Sequence, residues 1–196
     1  MSIADASLDT PPRKRPLAQN GALGMAIVIF TEIMLFSGFI SAFVIVRGTA
    51  LPGMWPPAGQ PRLPFERTML NTAALLASGI VLWIGGRKFR KAGGPAAMRW
   101  LDAALLLGTL FVFAQGAEWT GLLKQGLTLT SSQLGSFFYV IVGAHALHAV
   151  AAIIALGWSA LLLRRGTLTA SRLGAVEIFW YFVVLMWPIL YAIVYR

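Results

Sequence analysis

Glu32 stands in the run Thr31-Glu32-Ile33-Met34-Leu35-Phe36, with apolar residues on both sides of it. A carboxyl in such surroundings is protonated, paired, or turned toward other protein. The chain has only two histidines, His145 and His148. Three apart on a helix, they share a face. Ala152 and Ala155 continue that face with side chains small enough for another helix to come close. A carboxyl and an imidazole on neighbouring helices can share a hydrogen bond and hold a proton, so Glu32 is expected to hydrogen-bond His148. Two histidines on one helix fall short of a metal site, and haem ligation by two imidazoles needs them on opposite faces of the ring. Polar packing inside a bundle is the plain alternative for both residues. Gln115 and Glu118 form a second polar pair, also three apart. Glu118 is near enough to the end of its apolar run to reach interfacial water, which points to anchoring. Glu177 is expected at the start of the last helix, where the helix dipole favours an acid. Pro188 removes the hydrogen bond to the Val184 carbonyl and predicts a kink.

The elements that position these residues follow from composition. Of 196 residues, 58% are hydrophobic and only 12% charged, and the mean hydropathy is +0.74. A soluble domain carries roughly 25% charged residues; half that fraction leaves too little polar surface to face water on all sides. Apolar runs fall at about 21–46, 69–86, 100–123, 136–163 and 175–195, each near the ~20 residues that cross a bilayer as a helix. The expected fold is therefore all-α: a polytopic transmembrane bundle of five helices forming one domain over 21–196, preceded by a mobile basic tail over 1–20. The first run is too long for the ~7–15-residue core of a secretory signal, so it reads as a retained helix. Between Arg47 and Arg67 the prolines Pro52, Pro56, Pro57, Pro61 and Pro64 predict an ordered cap rather than a helix.

Charge gives the orientation. Eleven Lys and Arg lie in the tail and in the second and fourth connections, against five on the opposite side. The positive-inside rule then makes the N-terminus cytoplasmic and the C-terminus external. Basic clusters between apolar runs also argue against nucleic acid as a partner, despite a net charge of +9. With no cysteine, the chain has no disulfide and no thiolate metal site.

Several segments together resemble one family. Thr31-Glu32-Ile33-Met34-Leu35-Phe36-Ser37-Gly38-Phe39 looks like the glutamate helix of subunit III of the haem-copper respiratory oxidases. Trp55-Pro56-Pro57-Ala58-Gly59 and the helix from Leu70 to Gly79 resemble the loop and helix that follow it. Gln115-Gly116-Ala117-Glu118-Trp119 resembles the family's next acidic site. Gly135-Ser136-Phe137-Phe138-Tyr139 with Gly143-Ala144-His145-Ala146-Leu147-His148 is similar to its paired-histidine helix, and Trp180 to Tyr195 to its last helix. Order and spacing agree from Gly21 to the end. The last helix departs from the pattern: Tyr181 stands where the family usually has His and Val184 where it usually has Asp.

The resemblance implies a five-helix bacterial form, multi-pass in the cytoplasmic (inner) membrane. It implies a place beside catalytic subunit I, and with subunit II, in a complex of aerobic electron transport. Haem and copper are then expected in the catalytic partner, with no cofactor on this chain. It further implies phospholipid binding, stabilisation of the catalytic subunit, support of proton uptake and oxygen access, with Glu32, His145 and His148 as intramembrane polar positions and Gln115 with Glu118 as a second polar site. Counting residues excludes the catalytic role itself: two histidines cannot ligate two haems and a copper, and a dinuclear copper site needs thiolates. The alternatives are an accessory protein of a nitric oxide reductase and a small transporter or channel. A transporter favours inverted repeats and broken helices, and no repeat is visible here.

Overall fold

A computed structural model of the chain describes residues 20–51, 55, 57, 61 and 65–195. The tail expected over 1–20 lies almost wholly outside these residues, as does most of the proline-rich connection before the second helix. Long apolar runs become helices because hydrocarbon offers backbone N–H and C=O groups no partner outside the segment. Five such helices form: α1 Asn20–Thr49, α2 Phe65–Ala92, α3 Gly94–Lys124, α4 Gln133–Arg164 and α5 Ala170–Val194. All five are long and apolar enough to cross a membrane, and no strand occurs among the described residues. At 25 to 32 residues they exceed the roughly 30 Å hydrocarbon core, so their ends reach the headgroup layer.

Local chemistry sets the boundaries. Ser132 accepts a hydrogen bond from the Gly135 backbone N–H at 3.0 Å and caps α4, and Thr169 does the same for α5 from Arg172 at 3.3 Å. Pro95 opens α3, where its missing N–H is no loss. Only Gly93 separates α2 from α3, and its φ of +81° gives the chain the left-handed turn that so abrupt a reversal needs. Past α3 and α4, Gly126 and Gly166 close the last turns by bonding Leu123 and Leu163 carbonyls, at 3.1 and 3.0 Å.

Three spans differ from expectation: α3 begins at Gly94 rather than near Trp100, because Pro95 opens it, and α2 and α5 are also longer than their apolar runs. The cations Arg87, Lys88, Arg90 and Lys91 belong to the last turns of α2 rather than to a loop. Lys and Arg are good helix formers and are favoured by the dipole at a helix C-terminus, so the helix continues past its apolar stretch. In the same way α5 begins at Ala170, set by the Thr169 cap, five residues before the apolar run. It continues through Pro188 to Val194.

α5 is the hub. It packs against α1, α2 and α4, while α2 and α3 form a close antiparallel hairpin. Trp180 and Trp187 of α5 are fully buried and are held by α2: the Trp180 indole N–H donates to Ser78 Oγ at 3.2 Å and that of Trp187 to Thr72 Oγ1 at 2.9 Å. Gly108 of α3 lies against the outer edge of the Trp180 ring, where a Cβ would collide. The outer faces are apolar, with Leu70, Leu106, Phe113 and Leu147 each at least 70% exposed. Lipid, not water, suits such a surface.

Candidate functional site: a carboxyl–imidazole pair between α1 and α4

Phe36 and Glu32 sit one helical turn apart on α1, and Phe36 is fully buried. The face they share meets α4 at His148. There Glu32 Oε2 lies 2.9 Å from His148 Nε2, the pairing that helix spacing predicts. Around it, Phe36, Phe179 and Phe182 approach the His148 ring edge-on, at 5.5, 6.3 and 6.3 Å between centroids. Aromatic edges exclude water without offering hydrogen bonds.

The second ring nitrogen decides the chemistry. His148 Nδ1 is 2.7 Å from the Ala144 carbonyl, which can only accept. The proton on that side is thus fixed. A neutral imidazole then has a bare lone pair at Nε2 and nothing to donate to a carboxylate. Glu32 Oε2 is buried and, among the described residues, has no hydrogen-bond partner besides this contact. The 2.9 Å contact is a hydrogen bond only when one proton lies between oxygen and nitrogen, borne either by the carboxyl or by the imidazole. A hydrogen bond between the two side chains thus needs one proton beyond the one committed to Ala144.

His145 is separated from this pair despite its closeness in sequence. Three residues along a helix leave a rotation of roughly 60° between the two side chains. That angle turns His145 toward α5 and α3, where it is fully buried and stacks on Trp187 at 5.2 Å and 28°. Among the described residues, neither of its ring nitrogens has a hydrogen-bond partner. Beside it is a cavity of about 100 Å³, lined by Phe111, Gln115, Trp119, Val142, His145 and Trp187 among others. A space of that size beside an unpartnered imidazole is roomy enough for water, which needs only about 10–15 Å³.

Gln115 and Glu118 form a network near the other end of α3. Thr68 Oγ1 donates to Glu118 Oε2 at 2.8 Å, and the Asn71 amide N–H groups reach both Glu118 Oε1 and Gln115 Oε1 at 3.2 Å. The Gln115 amide in turn reaches the Tyr195 hydroxyl at 3.4 Å. The carboxyl thus meets side chains of α2. Asn71, Thr68 and Tyr195 complete this site, and nothing in their spacing announces it, since amides and hydroxyls are frequent in such helices.

Glu177 requires a correction. With α5 starting at Ala170, Glu177 lies two turns inside the helix, beyond reach of its N-terminal dipole. It is buried and bridges to Arg90 of α2 at 2.7 Å. Gly86 makes the approach possible, since any side chain there would run into the Glu177 carboxyl. Asp102 and Arg164 join α3 to α4 at 2.8 Å near the same end of the bundle. Among the described residues, no cluster of three acidic or histidine side chains could hold a metal ion.

The family model described as Cytochrome c oxidase subunit III matches residues 13–196. The chain is 30% identical over 177 residues to the probable cytochrome c oxidase subunit 3 of Nocardia farcinica, covering 89% of this chain and 86% of that one. It is 30% identical over 180 residues to the corresponding protein of Mycobacterium leprae, with the same two coverages of 89% and 86%. To cytochrome c oxidase subunit 3 of Gadus morhua it is 33% identical over 193 residues, 95% of this chain and 71% of the other. With its five apolar helices matched along nearly their whole length, this chain belongs to the cytochrome c oxidase subunit III family.

Proposed function

We propose that the Glu32–His148 pair is the working centre of this chain, a proton-holding and lipid-ordering site beside a catalytic subunit I that carries haem and copper. The subunit itself is non-catalytic and is part of an oxidase complex. In this reading it sits in the inner membrane of a bacterium with its N-terminus cytoplasmic, against subunit I and with subunit II. There it stabilises the catalytic subunit and supports proton uptake, phospholipid binding and oxygen access. The observation that carries the reading is the 2.9 Å contact between Glu32 and His148, with the other ring nitrogen committed to Ala144. A group that needs only packing could be an apolar pair. A pair that retains one mobile proton where ionisable groups are costly has a use for it. Unbroken helices on the described residues weigh against the transporter alternative.

Glu32→Gln tests it. A Gln amide can still donate to His148 Nε2, so the contact survives while the titratable proton does not. The purified complex carrying E32Q is expected to assemble normally. Its turnover should be slower, or its activity should decay several-fold faster during sustained turnover. Wild-type rates held throughout a long assay would leave the pair with a packing role alone.

A further inference from the structure

At the end of the bundle where α2 turns into α3, charge and shape combine. A cavity of about 480 Å³ is lined there by Trp83, Ile84, Arg87, Lys88, Lys91 and, at the hairpin itself, Ala92 and Ala96. Positions 84, 87, 88 and 91 are one helical face. Arg90, about a third of a turn round the helix from that face, is turned into the bundle and neutralised by Glu177. Among the described residues, Arg87, Lys88 and Lys91 have no carboxylate partner, and neither does Arg99 across the hairpin. The remaining described acid at this end, Asp102, is bound to Arg164.

The positive-inside rule accounts for the number of cations here but not for their arrangement. The Arg87 guanidinium lies over the Trp83 ring at 4.6 Å from its centre. Lys88 and Arg99 flank the Trp100 ring at 5.7 and 5.6 Å. Two of the cavity's cations, Arg87 and Lys88, are thus held in place by indoles, which reduces the ordering that an incoming anion would otherwise impose. Tryptophan is also the residue that marks headgroup depth. Beyond Trp83, toward the bundle centre, Ile80 and Leu76 continue the same exposed stripe at intervals of three and four. That stripe is apolar and follows directly from the basic pocket.

We propose that this pocket binds one anionic phospholipid, its phosphate held by Arg87, Lys88 and Lys91 and an acyl chain laid along Trp83, Ile80 and Leu76. Arg87 supplies the planar donor fork suited to a phosphate, and the two lysines supply point charges. A soluble phosphate would use the cations but has no need of the apolar stripe. An acidic protein segment would not follow the stripe toward the membrane centre. The site lies on the α2–α3 hairpin and is independent of the Glu32–His148 pair between α1 and α4, so its failure would leave the proposed function intact.

The test is native mass spectrometry of the intact complex after equilibration with vesicles of phosphatidylcholine mixed with phosphatidylglycerol of the same chain length. The wild type is expected to retain phosphatidylglycerol in preference to phosphatidylcholine. The double variant Arg87→Gln with Lys91→Gln is expected to weaken that retention by about five-fold for each cation removed. Arg165→Gln with Arg172→Gln removes equal charge from the end of α4 and the first turn of α5 and is expected to leave it unchanged. If the first variant does not assemble, Trp83→Leu, which keeps every charge, is expected to lower retention by freeing Arg87. Equal loss in the two double variants, equal retention of both lipids, undiminished retention in Trp83→Leu, or displacement of the lipid by millimolar inorganic phosphate would each overturn the proposal.

Discussion

Glu32 and His148 face each other across a helix boundary, and neither is fully buried. Removing one leaves the other with an unmet polar group in apolar surroundings, at a penalty of about 1–3 kcal/mol. Removing both leaves nothing unmet. His148→Leu and Glu32→Leu are therefore each expected to destabilise the protein, and the double variant to be less unstable than their sum by about 1 kcal/mol, near the range for hydrogen bonds inside membranes. Thermal inactivation of the solubilised complex measures this. Additive losses, agreeing within roughly 0.5 kcal/mol, would contradict a direct bond. This pair was legible in the sequence because a carboxyl in an apolar run is expensive and only two imidazoles exist to meet it. The separation of His145 from His148 was not, because it depends on where α5 places Trp187.

Among the elements, legibility stopped where a boundary depended on one cap. The apolar run of α5 begins near Ala175, but Thr169 starts the helix a turn and a half earlier. That shift moves Glu177 from a helix end to an interior position, where Arg90, 87 residues away in sequence, becomes its partner. No local pattern carries such a contact. The polar bonds from Asn71 and Thr68 to Glu118 were hidden for a similar reason: these side chains are ordinary in membrane helices until packing gives them a partner. The Trp180 side chain, which reaches from α5 to Gly108 of α3, offers a test. A methyl at Gly108 would meet the Trp180 indole, which cannot retreat without stretching its 3.2 Å bond to Ser78. Gly108→Ala is expected to destabilise by about 1–3 kcal/mol. Gly143→Ala, with nothing within 4 Å of the new atom, is expected to stay within about 0.5 kcal/mol of wild type. Equal thermal inactivation of the two variants would contradict the packing described.

For the whole molecule, composition was the most informative quantity. A chain with 12% charged residues and 58% hydrophobic ones has to place its surface in lipid, and five runs of membrane-crossing length leave one fold class open. What composition could not supply is the neighbour. The apolar exterior is wide: α1 exposes Ile27, Phe30, Met34 and Ile45 along one side while packing on α5 and α4. Lipid would satisfy that side, and so would the helices of a larger subunit. Membership in the subunit III family calls for the second over at least part of the surface, because this chain has two histidines and no cysteine with which to carry redox chemistry of its own. Its membership in an oxidase subunit family has meaning only inside a complex. The most direct measurement is purification from native membranes through a tag on this chain, in a mild detergent, followed by visible absorption spectroscopy and mass spectrometry of what is retained. Haem absorbance recovered in fixed proportion to the chain, on a co-purifying subunit, is the predicted result; a stable chain isolated alone, with haem and oxidase activity left behind in the membranes, would contradict it.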